Sequence, residues 1–157
     1  LELTIVPGLL QTAAYATAVE GLDVDPPGPD EVARRVAERL ARQRVLDRDD
    51  PLQLLAVLDR GILGDEVGGP AVMAEQVAHL AEMNERSNVT VRLLSAAGRI
   101  AASNGPFKLL TGDDPDPFLV VTEDLSGGLS YRGGPTVVGV YRGLWQFVWE
   151  RGSHALA

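Results

Sequence analysis

The order of its short apolar runs constrains what this chain can fold into more than any other feature. Leu52 to Leu58 is apolar and bounded by Asp50-Pro51 and Gly61; it reads as a strand, although so short a run also admits a helix. Gly68-Gly69-Pro70 then opens a helix, because proline suits a first-turn position and Met73, Val77 and Leu80 share one face as far as Asn84. Val89 to Leu94, Phe107 to Leu110 and Phe118 to Thr122 are rich in β-branched or aromatic residues and separated by Gly, Pro, Asn and Asp. They predict three strands, with a fourth over Leu129 to Arg132. Pro135 starts a final helix whose Val137, Tyr141, Leu144, Trp145 and Val148 make an apolar stripe, suited equally to a core or to a dimer surface. Strand, helix, strand, meander and closing helix imply an α/β (α+β) fold: a small mixed sheet with helices packed on it.

Ahead of this pattern lie N-terminal helices. Leu9 to Glu20 predicts a short helix opened by Pro-Gly, and Val24 to Pro29 a proline-rich turn. Glu31 to Leu46 predicts an amphipathic helix with Val32, Val36, Leu40 and Val45 at near-helical spacing and Asp30 placed to cap it. A chain of 157 residues is expected to be a single domain, 1–157, around one core.

Composition excludes several classes. Without cysteine, and with His79 and His154 far apart, no zinc or other metal site is expected. No apolar stretch approaches the roughly 20 residues of a membrane span, and no signal peptide is evident, so the expected location is the cytoplasm, with no membrane partner. A net charge of −8 opposes binding to a polyanion, so this chain alone is not expected to bind nucleic acid. Neither glycine-rich stretch has the phosphate-loop ending or the dinucleotide-binding spacing, and no Gly-x-Ser-x-Gly occurs; any chemistry here is expected to need no cofactor.

Local readings follow from spacing. His79 stands four residues after Glu75 and reads as a partly solvated residue paired with it. The arginine-rich helix reads as a solvated face with Glu31 paired to Arg35 and Glu38 to Arg42. Better site candidates are polar residues at strand ends: Glu123 and Asp124, where a carboxylate can be partly desolvated, Arg92 within an apolar strand, and the phenols of Tyr131 and Tyr141. Gln11 can orient a ligand by hydrogen bonding, and Trp145 with Trp149 can wall a cavity or simply pack. For each polar candidate taken singly, a structural hydrogen bond is the competing reading.

Pro7-Gly8-Leu9-Leu10-Gln11-Thr12 with Tyr15-Ala16 carries a resemblance, joined by Arg39, Arg42-Gln43, Val67-Gly68-Gly69-Pro70 with Met73 and Gln76, Asn88-Val89-Thr90-Val91, and Gly105-Pro106-Phe107 with Leu109-Leu110. In order and spacing these resemble the domain of unknown function that follows a helix-turn-helix in actinobacterial, antitoxin-like (xenobiotic-response-element-type) transcriptional regulators. No helix-turn-helix is expected within 1–157. Arg39 and Arg42-Gln43 match that family's Arg-x-x-Arg-Gln pattern, and such a guanidinium can pin its helix to a carboxylate of the sheet or reach a ligand anion. The chain departs from the pattern at Arg60 (usually glutamate), Ile100 (usually histidine), Val121 (often tyrosine) and Ser95 (proline). If Ile100 and Val121 line a pocket, it should prefer an apolar ligand.

The resemblance implies a sensor or partner-binding domain that takes a small, largely apolar molecule, such as a natural product, or a small antagonist protein; whether the chain forms a homodimer is left open by the sequence. The alternative is a free-standing enzyme of natural-product biosynthesis, a cyclase or lyase that folds an apolar substrate for dehydration, conjugate addition or cyclisation, with Glu123 as base and Tyr131 as acid. In either reading Gln11, Arg92, Asp124, Tyr141, Trp145, Ile100 and Val121 are the expected ligand-binding residues.

Overall fold

The computed structural model describes residues 1–103, 105–112, 116–123 and 128–153, so Asp124 and His154 lie outside the described residues. Pro7-Gly8 does not open one continuous helix. Gly8–Leu10 makes a single 3-10 turn, Gln11 is extended, and Thr12 restarts the chain as α1 (Ala13–Glu20), its hydroxyl accepting from the Tyr15 N–H. Threonine is a far better cap than the apolar residues before it, and this decides where the helix begins. α2 (Pro29–Gln43) starts before Glu31, with Gly28 as its cap and Pro29 in its first turn. Asp30 is in that turn, where it complements the helix dipole without a capping bond. The predicted last turn of this helix is a separate 3-10 turn, Arg44–Leu46.

β1 (Leu54–Leu58), α3 (Pro70–Asn84) and β2 (Val89–Leu93) form a parallel strand–helix–strand unit, in register from Leu54↔Val89 to Leu58↔Leu93. A short helix, α4 (Ala96–Ala101), follows; Ser95 caps it through the Gly98 N–H at 3.1 Å. Its Ala-Ala-Gly start carries no apolar period, so sequence patterning did not anticipate it. β3 (Lys108–Leu110), β4 (Leu119–Glu123) and β5 (Leu129–Arg132) are an antiparallel meander, and α5 (Pro135–Arg151) closes the chain.

The class is α/β, with five α-helices and five strands among the described residues, but the strands divide into a parallel pair, β1-β2, and a three-stranded sheet, β3-β4-β5. Leu1 and Glu2 lie between them. The Glu2 N–H donates to the Val57 carbonyl at 2.9 Å and its carbonyl accepts from Asp59 at 3.0 Å; Leu1 exchanges bonds with Phe107 at 3.0 and 3.2 Å. Backbone thus joins the two sheets through a segment too short to be a strand.

The single core expected from length is two clusters, one on each face of β1-β2. Alternation along the strands sends Ala56, Leu58, Val89, Val91 and Leu93 to the first, with Val6, Leu10, Tyr15, Met73 and Leu80, and Val57 to the second, with Leu94, Phe107, Val120, Val138 and Val148. The α5 stripe packs on the second cluster: Val148 is fully buried, and Val137, Tyr141, Leu144 and Trp145 are partly so. The stripe therefore packs against the core.

Candidate functional site

Part of the set that carried the family resemblance, Gly8 to Thr12 with Tyr15, Arg39, Gln43 and Gln76, converges on the interrupted start of α1. Breaking the helix at Gln11 leaves backbone groups without helical partners, and three glutamines supply them. Gln76, fully buried on α3, donates to the Leu10 carbonyl and accepts from the Thr12 N–H, both at 2.8 Å. Gln43 at the end of α2 donates to the carbonyls of Gly8 (2.9 Å) and Gln11 (2.8 Å). Gln11 donates to the Val6 carbonyl at 2.7 Å and accepts from Arg39 at 2.6 Å. Arg39 also reaches Glu20 at 2.6 Å, so its carboxylate partner stands on α1 and not, as the sequence suggested, on the sheet. Tyr15 accepts from the Val6 N–H, and burial pushes its phenol up from 10.0.

Beside this clamp a groove runs along α2 from Pro27 to Leu40, with Thr17 and Gly21 at the end of α1 on its other side. The groove has a volume of about 630 Å³ and is walled by Pro27, Pro29, Val32, Val36 and Leu40, with Thr17 as its hydroxyl. On the flank of α2 is a smaller, charged depression of about 490 Å³, lined by Glu20, Arg35, Glu38, Arg39 and Arg42. Its ion pairs depart from the expected set. Glu31 does take Arg35 at 2.8 Å, but Glu38 pairs with Arg34, and Arg42 makes no ion pair among the described residues. Two guanidiniums hold the Glu31 carboxyl down to about 2. His79 is partly buried, as expected, and forms no ion pair with Glu75 among the described residues.

The candidate residues fall in four places. Gln11 belongs to the clamp. Arg92 lies over the Trp149 ring at 4.0 Å and donates to the Trp149 carbonyl at 2.5 Å; Trp149 stacks on Trp145 at 5.4 Å, and Tyr141 meets Phe107 edge to face at 5.0 Å. All of these stand on the α5 side of the sheet. The buried Arg92 Nε has no partner among the described residues, a cost set against the stacking.

Glu123, Val121 and Tyr131 share the opposite face of the antiparallel sheet, where Val121 pairs with Tyr131 and Glu123 with Leu129. Tyr131 is 62% exposed and Glu123 is exposed, while Val121 is shielded by its neighbours. Ile100 stands apart on α4, 78% exposed. It follows Arg99, whose Nε holds Asp59 at 2.8 Å beside Arg60, so two of the altered family positions flank one ion pair. The carboxyl at the joint between the sheets belongs to Glu2, which sequence reasoning passed over because nothing local marks it as desolvated. Burial pushes its carboxyl up from 4.5, partly offset by the Lys108 ammonium at 3.8 Å.

Among the described residues no group of acids and histidines is arranged to hold a metal, and no helix is long and apolar enough to cross a membrane. No curated protein and no solved structure matches the chain. One family model does, over residues 1–155, and the chain accordingly belongs to the family described as a domain of unknown function, DUF5753.

Proposed function

We propose that this domain is the sensor half of a transcriptional regulator, binding a small, largely apolar molecule and passing the difference in affinity between two states to an attached helix-turn-helix. The observation that carries this reading is the α1–α2 groove. Its volume of about 630 Å³ is in the range of small-molecule sites, and its walls are proline, valine and leucine side chains. Arg42, free of ion pairs among the described residues, lines the depression on the flank of the same helix. That depression lies on the other side of α2 from the groove, whose own polar group is the Thr17 hydroxyl, so an apolar molecule with one hydrogen-bonding group suits the groove. The clamp polar groups are consumed in internal hydrogen bonds, and Glu123 and Tyr131 stand on an open sheet face, which supports recognition over catalysis in an enclosed chamber.

The test is native mass spectrometry of the protein before and after exposure to a metabolite extract of its source cells, alongside Ala37→Trp, which fills the groove. A small molecule retained unchanged by the wild type and lost from Ala37→Trp is the expected result. Protein-dependent conversion of one metabolite into another would instead make it an enzyme, with Glu123 and Tyr131 the first residues to replace. Retention of nothing, or equal retention by the variant, would overturn the groove as the site.

A further inference from the structure

The two outer strands of the molecule are treated differently. On β2, the N–H groups that face away from β1 are all taken: Val89 donates to the Arg86 carbonyl (3.3 Å), Val91 to Asn84 Oδ1 (2.6 Å) and Leu93 to the Ser153 carbonyl (2.8 Å). Among the described residues β5 has no such cover. It is bonded to β4 alone, and among the described residues no hydrogen bond outside that ladder reaches residues 129 to 132. Every second N–H and C=O of such a strand points outward, a template for another strand. Nothing in Leu-Ser-Tyr-Arg blunts it with proline, and its register with β4 runs without a bulge. Leu129 is 49% and Tyr131 62% exposed, and both continue a strip formed on the same face by Leu110, Leu119 and Val121.

We propose that β5 pairs antiparallel with β5 of a second copy about a two-fold axis through Ser130, joining two three-stranded sheets into one of six strands. A two-fold axis perpendicular to the sheet keeps like faces together, so opposed residues must be an even number of positions apart. With Ser130 on the axis, Leu129 faces Tyr131 of the second copy and the apolar strips become continuous. Arg132 then faces Gly128, and no like charges meet. This self-complementarity is what selects a second copy over an unrelated strand. The inference rests on the sheet edge and is independent of the groove.

Sedimentation velocity of the purified chain from about 1 to 500 µM tests it. Dimers are expected to form as concentration rises. Leu129→Lys with Tyr131→Lys, which gathers four ammonium groups at the axis, should weaken the dimer by at least about a hundredfold with unchanged far-UV circular dichroism. The chain has no cysteine, so Ser130→Cys is the sole thiol, and opposed antiparallel residues lie within disulfide reach. Mild oxidation should cross-link Ser130→Cys and not Thr136→Cys, on the exposed first turn of α5. A monomer throughout, a dimer that survives the double lysine variant, a dimer in which Ser130→Cys does not link, or equal linking of Thr136→Cys would each overturn the proposal.

Discussion

Gln11, Gln43 and Gln76 carry no charge, yet between them they complete the hydrogen bonding of a backbone segment that no secondary structure serves. An amide suits this task because it donates and accepts at once; Gln76 uses both ends, on Leu10 and Thr12. Replacing Gln76 with leucine keeps the volume and removes both bonds, leaving a buried carbonyl and N–H unpaired. We expect a loss of about 2–4 kcal/mol, read as a lower denaturant midpoint with an unchanged slope. A loss under about 0.5 kcal/mol would mean that water replaces the amide. The hydrogen-bonding role of Gln11 was legible from its residue type. Its partner in the clamp was not: the Thr12–Gln76 bond spans 64 positions, and no local pattern reports a contact of that range.

Among the elements, boundaries followed local chemistry where that chemistry is strong. Pro70 and Pro135 each open the helix predicted for them, and β5 occupies the predicted residues. The α2 start was misplaced by Pro29, which outranks Asp30 as an initiator because its fixed φ already fits the first turn. The turn before α3 offers a test. Gly68 and Gly69 have φ of +71° and +91°, so alanine strains the backbone at either. At Gly68 an added Cβ would also lie 2.8 Å from the Ala18 Cβ, whereas at Gly69 nothing stands within 4 Å. Gly69→Ala should therefore cost about 1–2 kcal/mol, and Gly68→Ala about 1–2 kcal/mol more, as α3 is pushed off α1. Equal midpoints for the two in denaturant unfolding would show that α1 yields without cost.

Over the whole molecule, the two sheets are joined through Leu1 and Glu2, so the state of Glu2 acts on global stability. Its carboxyl is raised above 4.5 in the folded protein, chiefly by burial. A group raised on folding contributes stability that is full below its unfolded pKa and is lost as pH rises through its folded pKa. Glu2→Gln removes that loss, so the variant should match the wild type near pH 3 and become the more stable of the two as pH approaches neutrality. Thermal midpoints across that range check it, and a variant less stable at pH 7 would show that the Lys108 pair outweighs desolvation. The sequence by itself determined the α/β class, the five strands, the long helices α3 and α5 and the absence of familiar phosphate, dinucleotide and hydrolase motifs, because periodicity, Gly-Pro punctuation and side-chain type act over a few residues. Tertiary structure alone decided that the strands form two sheets with a core cluster on each face of β1-β2, that the Glu2 carboxyl is desolvated, and that Gln11, Arg92 and Glu123 lie in different places. Each of these depends on which distant segments meet across the sheet, and burial, unlike propensity, is a property of the neighbours a residue acquires only when the chain has folded.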